Sequence, residues 1–335
     1  MKQPADFAQC SLPLPDGRGS ESLSLNRAAT VREWLRIPRL VVLLAILIAI
    51  FATCAIAQND VVFRSGVSLV RLDVEAVDTS GAVVPGLTKE DFRILDEGKE
   101  QTLVNFSFEE EPLDLILLFD TAGSMHGKLL EVIRATQLGF NELRKGDRVC
   151  VRVFSSTSTE MLPFSDNLET VNQAILLKAL ALRFNGSSKI EPAADEAALR
   201  FRNEPTTRRK RAVLIVTDKP GSRESDQMSI VRDLWNSNAV LSELIVDRPA
   251  QATRMMERGT NEIVDKTGGA TIVAGDPGGA FRESVHYLRS GYTMYYALPD
   301  ARAGSSRAVQ IELTPDAAKR FPNVRIRARS GYIAP

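Results

Sequence analysis

The sequence predicts an α/β protein built on a doubly wound, mostly parallel sheet, with a smaller β-sandwich-like module made from the strands on either side of it. Three observations point there. Residues 113–119, Leu-Asp-Leu-Ile-Leu-Leu-Phe, form a near-continuous apolar run of the kind buried on both faces of a parallel sheet. Strand-like and helix-like patterns then alternate over about 180 residues, as crossover connections require. Outside that stretch the folded part of the chain reads as strands alone.

Taken in order, residues 67–77 alternate Val70, Leu72, Val74 and Ala76 with Arg71, Asp73 and Glu75, a strand with one wet face. Asp78-Thr79-Ser80-Gly81 turns the chain, and 88–91 reads as a short capped turn. Asp96-Glu97-Gly98 predicts a hairpin between 92–95 and 103–108. In the central part, strands are expected over 113–119, 148–154, 212–217, 240–246 and 270–273. Helices are expected over 127–143, 168–183, 191–202, 225–236, 254–266 and 280–288. From Tyr292 onward only strands are predicted, over 293–297, 309–313 and 324–328. The domain organisation that follows is a β module over 58–111, an α/β domain over 112–290 and C-terminal strands over 291–335. The first and last of these are expected to pack together.

Composition narrows the function. The 335 residues carry 42 Lys+Arg against 42 Asp+Glu, so nothing electrostatic favours a nucleic acid partner. Three cysteines (Cys10, Cys54 and Cys150) are too few and too scattered for a disulfide framework or a zinc cage. Only two histidines occur, His126 and His286, so a bound metal would have to be held by oxygen.

Residues 40–57 are uncharged and apolar, with Arg32, Arg36 and Arg39 before them and Ala55-Ile56-Ala57 at their end. That is the layout of a secretory signal, with cleavage expected before Gln58. The alternative is an uncleaved membrane anchor, for which the run is at the short end. The polar stretch 1–31 exceeds what a leader needs, which implies a true start further along. The folded part is expected to be secreted or periplasmic. Cys150, between Val149 and Val151, then reads as a buried strand residue.

In a doubly wound sheet, ligands gather at the carboxyl ends of the strands. There the sequence places Asp120-Thr121-Ala122-Gly123-Ser124-Met125 after the first buried strand and Asp218 after the third. The segment Asn185-Gly186-Ser187-Ser188-Lys189-Ile190 leads into the helix near Glu191. Carboxylates and hydroxyls of this kind suit hard cations.

With these residues the chain resembles the von Willebrand factor type A domain and its metal-ion-dependent adhesion site. In that family an Asp-x-Ser-x-Ser element follows the first strand, a Thr lies in a later loop and an Asp follows a further strand. Residues 115–125 resemble the first element, Ser188-Lys189-Ile190 the second (with Ser187 as the other register) and 214–218 the third. Lys266-Thr267-Gly268-Gly269 is also typical of these domains. The flanking strands are similar to those of secreted acidobacterial proteins with a related domain.

The resemblance implies a protein-binding or adhesion module rather than an enzyme. Its cation, Mg²⁺ or Mn²⁺, would be held by Asp120, Ser124, Ser188 and Asp218 and completed by a partner carboxylate. Two departures bear on this. Ala122 stands where the family has a ligating serine, and Lys219 stands where it usually has glycine, next to Asp218. The other reading is therefore a vestigial site, in which Lys219 neutralises the carboxylates and a partner is met through Ser124, His126 and Lys219. A metal-free structural component of the cell envelope is a further alternative.

A rival from another class is a serine hydrolase, with Ser124 on a strand-to-helix turn and Asp218 or Asp247 and His286 completing a triad. Other features read as ordinary: Arg208-Arg209-Lys210-Arg211 as a solvated loop, Glu109-Glu110-Glu111 as a connector, and Met255-Met256 and Trp235 as core. Gly275-Asp276-Pro277-Gly278-Gly279 lacks the lysine and spacing of a phosphate loop.

Overall fold

The computed structural model describes residues 68–108, 111–179, 183–205, 208–219, 227–246, 262–274 and 276–335. The leader segment, Cys10, Cys54, Glu109-Glu110, Asp247, Met255-Met256 and Gly275 lie outside the described residues. None of the described helices is long and apolar enough to cross a membrane.

The first strand among the described residues is β1 (Leu69–Val77), whose alternate residues Val70, Leu72, Val74 and Ala76 are buried. A 3-10 turn at Lys89–Asp91 follows, closed by a capping box between Thr88 and Asp91. It leads into β2 (Phe92–Asp96), β3 (Lys99–Gln101) and β4 (Leu103–Ser107). The hairpin differs from the expected one. β2 turns back onto β3, with Asp96 opposite Lys99, because Glu97 (φ 49°) and Gly98 (φ 75°) form a two-residue turn with both φ positive. β4 goes elsewhere, pairing with a strand from the far end of the chain.

The central layer starts with β5 (Leu113–Asp120), buried along its whole length. A 3-10 turn at Gly123–Lys128 opens into α1 (Leu129–Phe140). Then come β6 (Arg148–Phe154), β7 (Ser158–Ser165), α2 (Leu168–Ala179), α3 (Ile190–Arg202) and β8 (Lys210–Thr217). The layer continues through α4 (Met228–Asn236), β9 (Ala239–Val246), α5 (Glu262–Thr267), β10 (Thr271–Ala274) and α6 (Pro277–Arg289). The strand order is β10-β9-β8-β5-β6-β7, parallel throughout except for β7, which runs antiparallel along β6. β7 was not expected: Ser158–Ser165 mixes polar and apolar residues without alternation, contains Pro163 and occupies an edge, where neither alternation nor a central ladder is demanded.

Successive residues of β5 feed opposite layers. Leu115, Leu117 and Phe119 pack with Val132, Val171 and Phe281, whereas Ile116 and Leu118 pack with Ala194, Phe201 and Leu234. This period-two division puts α1, α2 and α6 on one face and α3, α4 and α5 on the other. The chain leaves β5 for β6 on one side and later returns to β8 on the other, so the switch point lies between β5 and β8.

The remaining elements are β11 (Tyr292–Ala297), β12 (Ser306–Leu313), α7 (Pro315–Arg320), β13 (Arg325–Ala328) and β14 (Gly331–Ile333). α7 corrects the expectation of strands alone: Thr314 accepts from the Ala317 N–H and Pro315 presets the first turn. Two antiparallel sheets result, β13-β1-β11-β4 and β14-β12-β2-β3. Leu72, Ile94, Met294, Val309 and Tyr332, drawn from both, share one buried cluster. Gly268, at φ 84°, lets the end of α5 abut the Ala328 backbone, where a Cβ would collide.

Candidate functional site

Asp120 ends β5 and Thr217 ends the neighbouring β8, so parallel pairing alone brings their side chains to one edge. Thr217 Oγ1 donates to Asp120 Oδ2 at 2.7 Å. Asp120 Oδ1 accepts the Ala122 N–H at 2.8 Å, which fixes the first bend of the loop. Asp120 is 2% exposed, and its carboxylate is committed to holding two backbone segments in place. Thr121 pins the same loop to the end of β6, its N–H and hydroxyl reaching the Phe154 carbonyl at 2.7 and 2.9 Å.

Asp218 lies one residue beyond Thr217 and is buried. Ser124 Oγ donates to its Oδ1 at 3.1 Å, and Lys128 Nζ reaches its Oδ2 at 3.3 Å. The structure therefore joins Asp120, Ser124 and Asp218 in one connected group. The lysine in it is Lys128, not Lys219. Lys219 is exposed, and its backbone N–H donates to Thr217 Oγ1 at 3.2 Å. Sequence reasoning passed over Lys128. It lies four residues after Ser124 in a 3-10 turn, where residues three apart share a face, so spacing gave no signal for the pairing.

The loop before α3 reaches this edge through two backbone bonds, Asn185 N–H to the Thr121 carbonyl and Lys189 N–H to the Ser155 carbonyl, at 3.1 and 2.9 Å. Ser188 Oγ is buried there with no hydrogen-bond partner, while Ser187 is exposed. Ser188 therefore has no hydrogen bond to the Asp120–Asp218 group. His126 is exposed and sets its ring edge-on to Phe184, centroids 5.4 Å apart. Beneath Asp120 a cavity lined by Phe119, Met125, Val132, Ile175 and Phe184 has a volume of about 20 Å³. That is room for about one water and not for an organic ligand.

The triad geometry is not met. Ser124 gives its hydrogen bond directly to a carboxylate, with no imidazole between them. His286 sits in the last turn of α6, whose end is held at the opposite edge of the sheet. There Lys210, the first residue of β8, donates to the Arg289 carbonyl at 3.0 Å, and Arg289 pairs with Asp147. Lys210 and Thr217, at the two ends of the eight-residue β8, are about 23 Å apart at the usual rise per residue.

Mg²⁺ demands near-octahedral oxygen coordination, so the donor inventory can be tested against it. Every carboxylate oxygen of Asp120 and Asp218 already accepts a hydrogen bond, one of them from an ammonium. Ala122, 1% exposed, offers a methyl group where a further hydroxyl would be needed. Among the described residues no three His, Cys, Asp or Glu side chains are grouped to hold a metal. The hydroxyl oxygens left over are that of Ser188, which makes no hydrogen bond, and that of Ser124, which keeps its lone pairs while donating to Asp218, and two neutral oxygens fall short of the set required. As they stand, these residues do not fit a divalent cation.

The sequence pattern of the von Willebrand factor type A domain matches residues 115–221. No curated protein sequence matches the chain. Solved structures similar to it include BatB from Bacteroides thetaiotaomicron, at 18% identity and a TM-score of 0.44, covering 52% of this chain and 97% of that one. A von Willebrand factor type A protein from Catenulispora acidiphila is 12% identical, with a TM-score of 0.44 over 81% of this chain and 75% of that one. Manganese-loaded TRAP protein from Plasmodium vivax is 15% identical, with a TM-score of 0.43 over 69% of this chain and 99% of that one. Domains of this family generally serve protein–protein interaction and adhesion, with metal bound in some members. The stretch of the central α/β layer that matches the von Willebrand factor type A domain, residues 115–221, carries Asp120, Ser124 and Asp218 at its carboxyl edge.

Proposed function

We propose that this protein is an exported, non-enzymatic binding module that takes a protein partner at the carboxyl edge of the central sheet. The observation that carries the reading is the division of that edge into a buried base and an exposed rim. In the base, Thr217 donates to Asp120, and Asp218 accepts from Ser124 and Lys128, so the buried carboxylates are hydrogen-bonded within the edge. The rim presents Ser124, His126 and Lys219 to solvent. A hydroxyl, an imidazole and an ammonium together complement an acidic group, so the partner contributes a carboxylate. This contact breaks no bond and needs no metal ion. Export rests on residues 40–57, with their preceding arginines and Ala55-Ile56-Ala57.

Photo-crosslinking residues placed at 126 and 219 test the binding edge in the producing cells, with position 316 on α7 as control, since Asp316 is exposed. Specific adducts at 126 and 219, competed by excess unlabelled protein and absent at 316, are expected. Equal adducts at all three positions, or none at 126 and 219, would refute the reading. Sequencing the amino terminus of the exported protein tests the leader, and Gln58 is the expected first residue.

A further inference from the structure

We infer that Lys128 is the built-in cation of this edge: its ammonium occupies the electrostatic role a divalent ion would have, so the site is partly neutralised without metal and rejects Mg²⁺ and Mn²⁺. The inference is independent of whether a partner binds at the rim.

Four observations carry it. Lys128 Nζ reaches Asp218 Oδ2, while Ser124 Oγ occupies the other oxygen, so the carboxylate is bracketed from both sides. Asp218 keeps only 7% of its side-chain exposure and Lys128 26%, which leaves the pair largely shielded from solvent screening. Two carboxylates and one ammonium leave a net charge of −1 at the base. A divalent ion entering there would face a fixed positive charge on one of its own ligands. Finally, Lys128 is the residue that caps α1 at its amino end. A cation at that end opposes the helix dipole, an unfavourable position unless a specific anion is present. Asp218 is that anion.

Ala122 fits the same picture. With the ammonium in place the loop has no ion to coordinate, and a buried methyl group avoids a hydroxyl that would need its own partner. The missing hydroxyl at 122 and the ammonium of Lys128 on Asp218 act in the same direction: there are fewer oxygen ligands for an ion, and a cation is already tethered to the chain. Contact with an acidic partner is accordingly expected to survive chelators.

The test is calorimetric titration of MnCl₂ and MgCl₂ into the full chain, with Mn²⁺ paramagnetic resonance as a second readout. The proteins compared are wild type, Lys128→Met, Lys128→Gln and Ala122→Ser/Lys128→Met, each with and without Asp218→Asn, and circular dichroism checks their folding. Wild type is expected to show no Asp218-dependent binding at millimolar ion. Ala122→Ser/Lys128→Met is expected to gain one Mn²⁺ site at least tenfold tighter than wild type, lost again on Asp218→Asn. Lys128→Gln, which keeps a donor for Asp218 but not the charge, serves if the methionine variants do not fold. Mn²⁺ binding by wild type that disappears with Asp218→Asn would overturn the proposal. So would folded Lys128 variants whose Mn²⁺ affinity equals that of wild type.

Discussion

Asp96 offers the sharpest test of how the two antiparallel sheets are held. It is fully buried and accepts four hydrogen-bond or ion-pair contacts from three strands. Tyr296 and Tyr332 donate their hydroxyls to Oδ2 at 2.8 and 2.7 Å, and Arg307 approaches Oδ1 through Nε at 2.9 Å and Nη2 at 2.7 Å. These partners come from β11, β14 and β12, whereas Asp96 itself ends β2. Asp96→Ala would strand a guanidinium that is 17% exposed and two phenols that are 0 and 3% exposed.

Breaking a buried ion pair from one side costs about 3–5 kcal/mol. Each stranded hydroxyl adds about 1–3 kcal/mol, and the terms overlap because they share one acceptor. A loss of about 4–6 kcal/mol is therefore expected, a large part of the total stability of most domains. Tyr332→Phe, which removes one donor and strands nothing charged, should cost about 1 kcal/mol. Urea unfolding followed by Trp235 fluorescence measures both, since that indole packs against Gly331 next to Tyr332. If Asp96→Ala cost no more than Tyr332→Phe, the carboxylate would not be the hub and the reasoning would fail.

Three further outcomes follow from the packing and the titrations. Glu75 is buried with Oε2 unpartnered, and burial holds its carboxyl well above the usual range despite Tyr287, Lys210 and Arg327 nearby. The folded state then keeps a proton that the unfolded chain loses near the ordinary value of 4.5, so this group's contribution to stability falls as pH rises above that value. Glu75→Gln should flatten that slope in urea melts between pH 5 and 8 and raise stability at the upper end; an unchanged slope would count against it. Cys150 is buried and its thiol is pushed up to about 12, first by burial and then by Glu160. Iodoacetamide at pH 8 should leave the Cys150 peptide unmodified until denaturant is added, as read by mass spectrometry, whereas rapid native labelling would contradict the burial. Gly139 faces the Phe281 ring where α1 meets α6, with no room for a Cβ, so Gly139→Ala should cost about 1–3 kcal/mol in the same melts despite alanine's better helix propensity.

Much of the architecture was legible because burial writes itself into composition. β5 is apolar over most of its length since helices cover both its faces, and the alternation of β1 marks the face that holds Val70, Leu72, Val74 and Ala76 in the core, although Glu75 and Val77 on the other face are buried as well. The doubly wound order followed from the alternation of strands and helices, and so did the edge at which Asp120 and Asp218 would lie. Polar segments without such a requirement were harder to read. β7 runs along an edge where few side chains need to be apolar, and the partner of β2 was settled by a two-residue turn rather than by pattern strength. α7 is held by a cap and a proline in a run too short for helical periodicity to show.

By itself, the sequence determined which side chains stand at the switch point, because chain order and strand direction place the ends of β5 and β8 side by side. Which cation faces Asp218 was a tertiary decision. Lys219 is its neighbour along the chain, yet successive residues diverge, and Lys219 is left in solvent. Lys128, ninety residues away, is carried to the carboxylate by the 3-10 turn that follows β5. Local spacing governs which residues share a face of one element. Charge pairing between elements depends on how those elements pack, and no stretch of sequence contains that distance.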